Sequence, residues 1–183
     1  SILVLAPQPF FQDRGTPIAV KLLVEELARL GHEVHLLVFH EGEEIVIEGV
    51  RIHRIVKLPG VRDIPPSLSW KKLVCDGAML FSLISLQLRH RFDVIHCVEE
   101  AVFLALFAKP LLRRPYVYDM DSSLAIQVAD KVKALRTIRP LLDFFERAAV
   151  RGSVGVVAVC KALEDIARAH APHKEIITLE DIS

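Results

Sequence analysis

The sequence carries no excess of charge of either sign. Its 183 residues include 23 Lys and Arg against 23 Asp and Glu. That balance argues against a general nucleic-acid binder, whose footprint is a basic excess, and against an acidic disordered chain. Long hydrophobic runs are missing too. The longest, Ala101 to Ala108, spans eight residues, far short of the ~18 of a transmembrane helix. No basic segment followed by an apolar one opens the chain, so no secretory signal is expected. Cysteine is scarce. Cys75, Cys97 and Cys160 are odd in number and widely spaced, so neither a metal site nor a disulfide framework follows, and a reducing, cytoplasmic setting is the default. Neither G-x-G-x-x-G nor G-x-x-x-x-G-K-[ST] occurs, which disfavours a Rossmann dehydrogenase and a P-loop enzyme.

What is present is an apolar fraction of 52%, above the usual ~45–50%. Either a sheet is buried on both faces, or part of the apolar surface is meant for something else. Ile2 to Ala6 is a short continuous apolar run of the kind found in parallel sheets. After a polar loop, Thr16 suits an N-cap and Pro17 a first helical position. Val20, Leu23, Val24, Leu27 and Leu30 then form a helical stripe closed by Gly31, and Val34 to Phe39 reads as a second strand, parallel to the first. Ile45 to Ile47 and Val50 to Val56 read as a hairpin or strand pair turning at Gly49. Further on come a helix from Ser67 to Arg91, a strand from Asp93 to Val98, and a helix from Glu100 to Lys109 stopped by Pro110. Next are a strand from Pro115 to Met120, helical segments from Ser122 to Arg151 broken at Pro140, and a strand from Val154 to Val159. A helix from Lys161 to Ala171 and a strand from Glu175 to Leu179 complete the chain. This alternation gives one α/β domain, a Rossmann-like parallel sheet with helices on both faces. In such folds ligands sit beyond the carboxyl ends of the strands, so function is sought in the loops after Ala6, Val98, Tyr118 and Val159.

In the first loop, Gly15 stands at a helix N-terminus, where unpaired N–H groups and the helix dipole can hold a phosphate; an ordinary strand-to-helix turn carries the same glycine. Leu3-Val4-Leu5, the loop ending in Gly15-Thr16, Leu27-Ala28-Arg29-Leu30 and Gly31-His32-Glu33-Val34 resemble the opening of a family 4 (group 1) retaining glycosyltransferase of GT-B fold. Phe92-Asp93-Val94-Ile95-His96, Pro115-Tyr116-Val117-Tyr118-Asp119 and Val156-Val157-Ala158-Val159-Cys160-Lys161-Ala162-Leu163 resemble later strands of that family, in order.

The resemblance implies that residues 1–183 are the N-terminal, acceptor-side domain of a two-domain enzyme. Its C-terminal domain would be a partner outside this chain, carrying most of the nucleotide-sugar site and the family's Glu-x₇-Glu signature. That spacing occurs here at Glu25/Glu33 and Glu33/Glu41, but in a helix and at a strand's opening, where it is chance. The resemblance further implies a nucleoside-diphosphate sugar as substrate, no cofactor and no metal, and Gly15 and Thr16 at the donor diphosphate. Arg14, His96, Asp119, Ser122, Cys160 and Lys161 would line the acceptor-side cleft, with Asp121, Glu99 and Glu100 as catalytic candidates. The sequence departs from the family twice: Arg14-Gly15-Thr16 replaces a pair of adjacent glycines, and Asp121 stands where a His commonly faces the donor sugar.

Plainer readings stand beside these. Glu99 and Glu100 can be first-turn acids favouring a helix dipole, His96 a hydrogen-bonded core histidine, Asp121 or Ser122 an N-cap, and Cys160 a packing residue. Asp119-Met120-Asp121 also resembles the metal-binding pair of other glycosyltransferases and the nucleophile motif of haloacid-dehalogenase-like phosphohydrolases. The second resemblance lacks the early position and the downstream acid cluster; a non-catalytic ligand-binding α/β domain is the remaining alternative. Finally, Lys131 to Arg151 is basic and amphipathic, with Trp70-Lys71-Lys72 and Arg89-His90-Arg91 as possible additions. Such a stretch can lie on an anionic membrane, where it would suit a lipid-linked acceptor, or form a solvated helix face.

Overall fold

The computed structural model describes residues 1–65, 69–123 and 139–180. Seven strands, β1 (Ile2–Ala6), β2 (Val34–Val38), β3 (Val50–Arg54), β4 (Val94–Val98), β5 (Tyr116–Met120), β6 (Gly155–Ala158) and β7 (Ile176–Thr178), form one sheet in the order β3-β2-β1-β4-β5-β6-β7. Every pairing is parallel, with Ile2 opposite Val34 on one side and Val94 on the other. The order reverses between β1 and β4, and a crevice opens at such a switch point.

The five described helices are α1 (Gly15–Arg29), α2 (Trp70–His90), α3 (Ala101–Leu112), α4 (Arg139–Gly152) and α5 (Lys161–His170). Alternation along the strands sends neighbours to opposite faces. Leu3, Leu5, Leu37, Ile95, Cys97, Tyr118 and Val156 pack with Met79, Leu83, Ala105, Ala149 and Ala167 of α2 to α5. Val4, Ala6, Leu36 and Val38 pack with Val20 and Val24 of α1 on the other face. This double burial is why β1 reads as an unbroken apolar run.

Four sequence expectations shift. The hairpin over 45–56 does not form: β3 is the single strand there and runs parallel to β2. The backbone before it is committed elsewhere, since Phe10 donates to the Glu41 carbonyl (2.9 Å) and Glu43 to the Phe11 carbonyl (2.9 Å). The Arg54 guanidinium meets the carbonyls of Glu41 and Glu43 at 2.9 and 2.7 Å. Gly42 permits that approach: its φ is +115° and a Cβ there would lie 2.3 Å from the Phe10 carbonyl carbon. Second, α1 starts at Gly15, with Arg14 as N-cap rather than Thr16, so Pro17 falls third in the helix, where its missing N–H still lies in the unpaired first turn. Third, α3 passes through Pro110 to Leu112. With one turn remaining, the proline removes little, and Arg113 closes the helix by donating to the Lys109 carbonyl at 2.8 Å. Fourth, Lys72, read with Trp70 and Lys71 as surface, is buried. The break at Pro140 falls against residues outside the described ones. The α1 terminus is as expected: Gly31, at φ +86°, donates to Ala28 and His32 to Leu27, a Schellman closure.

Candidate active site

The crevice at the β1/β4 switch holds a pocket of about 240 Å³, lined by Pro7, Gln8, Pro9, Arg14, Gly15, Thr16, Pro17, Phe39, Pro65, Lys72 and Glu99. The β1 loop, the N-terminus of α1, the first turn of α2 and the ends of β2 and β4 converge there.

The start of α1 is unusually bare. Arg14 has extended backbone and its side chain caps nothing, and the first turn holds no acid. This helix start lines the pocket, and among the described residues no N-cap side chain or first-turn acid caps it, the condition for anion binding. A Cβ added at Gly15 would meet nothing within 4 Å, so the glycine keeps that backbone open rather than relieving a clash. Beside it, the Gln8 side-chain nitrogen is buried without a hydrogen-bond partner among the described residues.

The opposite wall is a cluster of ionisable groups. Lys72, one turn into α2, is only 6% exposed and forms an ion pair with Glu100. Asp76, one turn further, has a buried Oδ1 without a hydrogen-bond partner among the described residues; burial pushes its carboxyl up to about 7, with Glu100 adding to the effect and Lys72 opposing it. Glu99 ends β4 in a left-handed conformation, φ +50°, held by its N–H donating to the Asp119 carbonyl at 2.9 Å. A non-glycine residue so placed stores about 1–3 kcal/mol. Burial, then the Glu100 charge, push its carboxyl up to about 7, against Lys72; Asp119 also raises it and Arg14 lowers it.

Of the residues singled out from sequence, Arg14, Gly15, Thr16 and Glu99 share this pocket, and Glu100 joins through Lys72. Glu100 is the N-cap residue of α3 but does not cap it. His96 and Asp119 sit on adjacent strands, their side chains 2.9 Å apart and mostly buried, as a pair beneath the strand tips rather than in the pocket. Asp121 and Ser122 follow β5 outside it; the N-cap reading for them depends on residues outside the described ones. The next residue, Ser123, is anchored by donating to the buried Glu146 carboxylate at 2.9 Å, which also lies 3.3 Å from His170 Nε2. Cys160 caps α5 by position only and is exposed, two strands away from β4. Lys161 pairs with Glu164 and Asp165 of its own helix, both at 3.1 Å.

Lys72, Asp76 and Gln8 were missed from sequence. A signal existed for the lysine: Lys72, Cys75, Met79, Leu83 and Gln87 are the buried positions of α2, so Lys72 extends the inward stripe by one turn.

The glycosyl transferase 4-like domain model matches residues 14–179. The chain belongs to this family. No curated protein matches it. Among solved structures, sucrose-phosphate synthase from Thermosynechococcus elongatus is 15% identical, with a TM-score of 0.71 over 100% of this chain and 48% of that one. HepE from Anabaena, solved with UDP, is 14% identical, with a TM-score of 0.58 over 97% of this chain and 43% of that one. WaaG, a glycosyltransferase of lipopolysaccharide biosynthesis, is 12% identical, with a TM-score of 0.62 over 98% and 44%. At these identities the likeness is one of fold. The 4-like domain spans about half the length of these structures. The phosphohydrolase alternative is not favoured, and Asp119, its nucleophile, is engaged by His96.

Proposed function

We propose that this domain is the acceptor-side half of a retaining, metal-independent glycosyltransferase, using a nucleoside-diphosphate sugar in a cleft shared with a C-terminal domain. The observation that carries it is the uncapped α1 N-terminus opening, with Arg14 and the unpartnered Gln8 amide, into one pocket at the switch point. The Gly15 and Thr16 N–H groups and the Arg14 guanidinium meet the donor diphosphate there, stabilising charge that grows on the leaving nucleotide. Glu99 and Glu100 face the acceptor; a carboxyl held near neutrality, as Glu99 is, suits proton exchange with an acceptor hydroxyl. Asp119 supports this wall from below, and Asp121 stands towards the donor sugar. HepE in complex with UDP supports the nucleotide class. A nucleotide-sugar substrate suits the cytoplasm, or the inner face of a membrane if Lys131 to Arg151 touches it; Lys131 and its neighbours up to 138 lie outside the described residues.

The test is sugar transfer from a panel of nucleoside-diphosphate sugars, with and without EDTA, by the 183-residue chain and by the same chain joined to its C-terminal half. We expect activity from the joined protein alone, insensitive to EDTA, with product of unchanged anomeric configuration. Transfer by the 183 residues on their own, or an inverted product, overturns the reading.

A further inference from the structure

The pocket at the β1/β4 switch has walls of opposite character, gathered around about 240 Å³. One wall supplies donors: the uncapped start of α1, Arg14, and Gln8, whose amide nitrogen is buried without a hydrogen-bond partner among the described residues. Gln8 is 8% exposed, and a buried amide N–H left open beside a cavity calls for an acceptor. The other wall brings in the Glu99 carboxyl. When ionised, that group carries the same sign as the anion the donors would hold.

Glu99 is held in place. Its N–H donates to the Asp119 carbonyl at 2.9 Å, and its carbonyl accepts from the Val102 N–H at 3.3 Å. The counter-charge beside it is shared: Lys72 pairs with Glu100 and also favours the ionised form of Asp76, one turn along α2. Three carboxyl groups thus draw on one buried ammonium. The charged groups acting on Glu99 are Glu100 at the start of α3, Lys72 of α2, Asp119 of β5 and Arg14 before α1. Asp119 is itself engaged by His96 of β4. The acids oppose ionisation, the bases favour it, and burial is the largest influence, leaving the carboxyl titrating at about 7.

We infer that Glu99 determines when this pocket accepts its ligand: the neutral carboxyl admits a diphosphate, the carboxylate repels it, and binding therefore takes up a proton. The inference rests on the phosphate reading of the pocket given above. Like charges brought close in a part-desolvated space repel strongly. Protonation turns the same group from a rival acceptor into an O–H donor to a phosphate oxygen. The balance is simple: one proton passes from solvent to a Glu99 oxygen as the anion enters and returns as it leaves.

The test is calorimetric titration of the 183-residue chain with UDP at pH 7 and pH 8, where the terminal phosphate is largely ionised. Each titration is run in two buffers of different ionisation enthalpy, so that the difference in heat counts protons. We expect uptake of roughly half a proton or more per UDP at pH 8, and affinity about fivefold weaker there than at pH 7. Glu99→Gln should bind equally at both pH values, without uptake, and more tightly than the parent at pH 8. Asp76→Asn, whose carboxyl is outside the pocket lining, should keep the uptake. UDP binding without proton uptake, or uptake that persists in Glu99→Gln, overturns the inference and leaves the phosphate reading standing. Failure of both parent and Glu99→Gln to bind UDP at either pH overturns the two together. The proton count needs no variant and decides the matter even if Glu99→Gln does not fold.

Discussion

Arg14 occupies a position that local stability would give to Ser, Thr, Asp or Asn. Its side chain caps nothing, and the helix start it leaves uncapped lines the pocket. Arg14→Ser should therefore raise stability by about 0.5–1 kcal/mol while weakening nucleotide binding, as thermal unfolding and calorimetric titration with UDP would show. Gly15→Ala probes the same place with less change in charge. Space around its Cβ is open, so the fold should lose nothing, and any loss of UDP affinity reports close approach by the ligand.

Glu99 offers a test through pH. Its folded-state carboxyl is raised from 4.5 to about 7, mainly by burial. The folded protein therefore holds this proton where the unfolded chain has released it, and stability falls as pH rises from about 4.5 through 7. Glu99→Gln should be more stable than the parent above pH 7, by on the order of 2 kcal/mol in urea unfolding, with the gain vanishing below about 4.5. Sugar transfer by the joined protein should fall in the same variant, which separates a functional carboxyl from a merely buried one.

At the scale of elements, two glycines respond oppositely to one methyl group. Gly42 has a positive φ and lies against Phe10, so Gly42→Ala should cost about 2–4 kcal/mol and loosen its packing on Phe10. Gly77 lies inside α2 with nothing within 4 Å of an added Cβ. There Gly77→Ala should stabilise by about 0.5–1 kcal/mol. Urea unfolding of the pair measures both.

At the scale of the whole molecule, the sheet's outer edge is joined to α2 by histidines. His35 of β2 is fully buried, with Nδ1 2.9 Å from His53 Nε2 of β3, and its ring packs on His90 of α2 and on Phe92. Burial holds both His35 and His53 below the usual 6.5. The unfolded chain thus takes up protons that the folded one refuses, and stability, complete above pH 6.5, is lost as pH falls below it. Replacing His35 by Leu should reduce that acid-side loss, measured as the difference in urea midpoint between pH 5 and 7.5, whatever its cost at neutral pH.

The seven-strand rhythm was legible because the strands are short and mostly apolar, β1 without a break, and the helices carry apolar stripes, patterns set by burial on two faces or one. Gly15, Thr16, Arg14 and Glu99 could be placed at strand tips because loop position follows from that rhythm. Local pattern does not reveal which segment takes up a backbone bond first, so Phe10 and Phe11 claimed 41–43 and the expected hairpin became one parallel strand. Nor does it reveal which way a lysine turns: Lys72 is withdrawn by the carboxylates of Asp76 and Glu100, the latter supplied by a strand end distant in sequence. Composition and periodicity are properties of neighbours along the chain, and they determined the α/β class and the site's end of the sheet. The pocket's charge pairs arise where distant segments compete for the same desolvated space, and only the tertiary structure decided those.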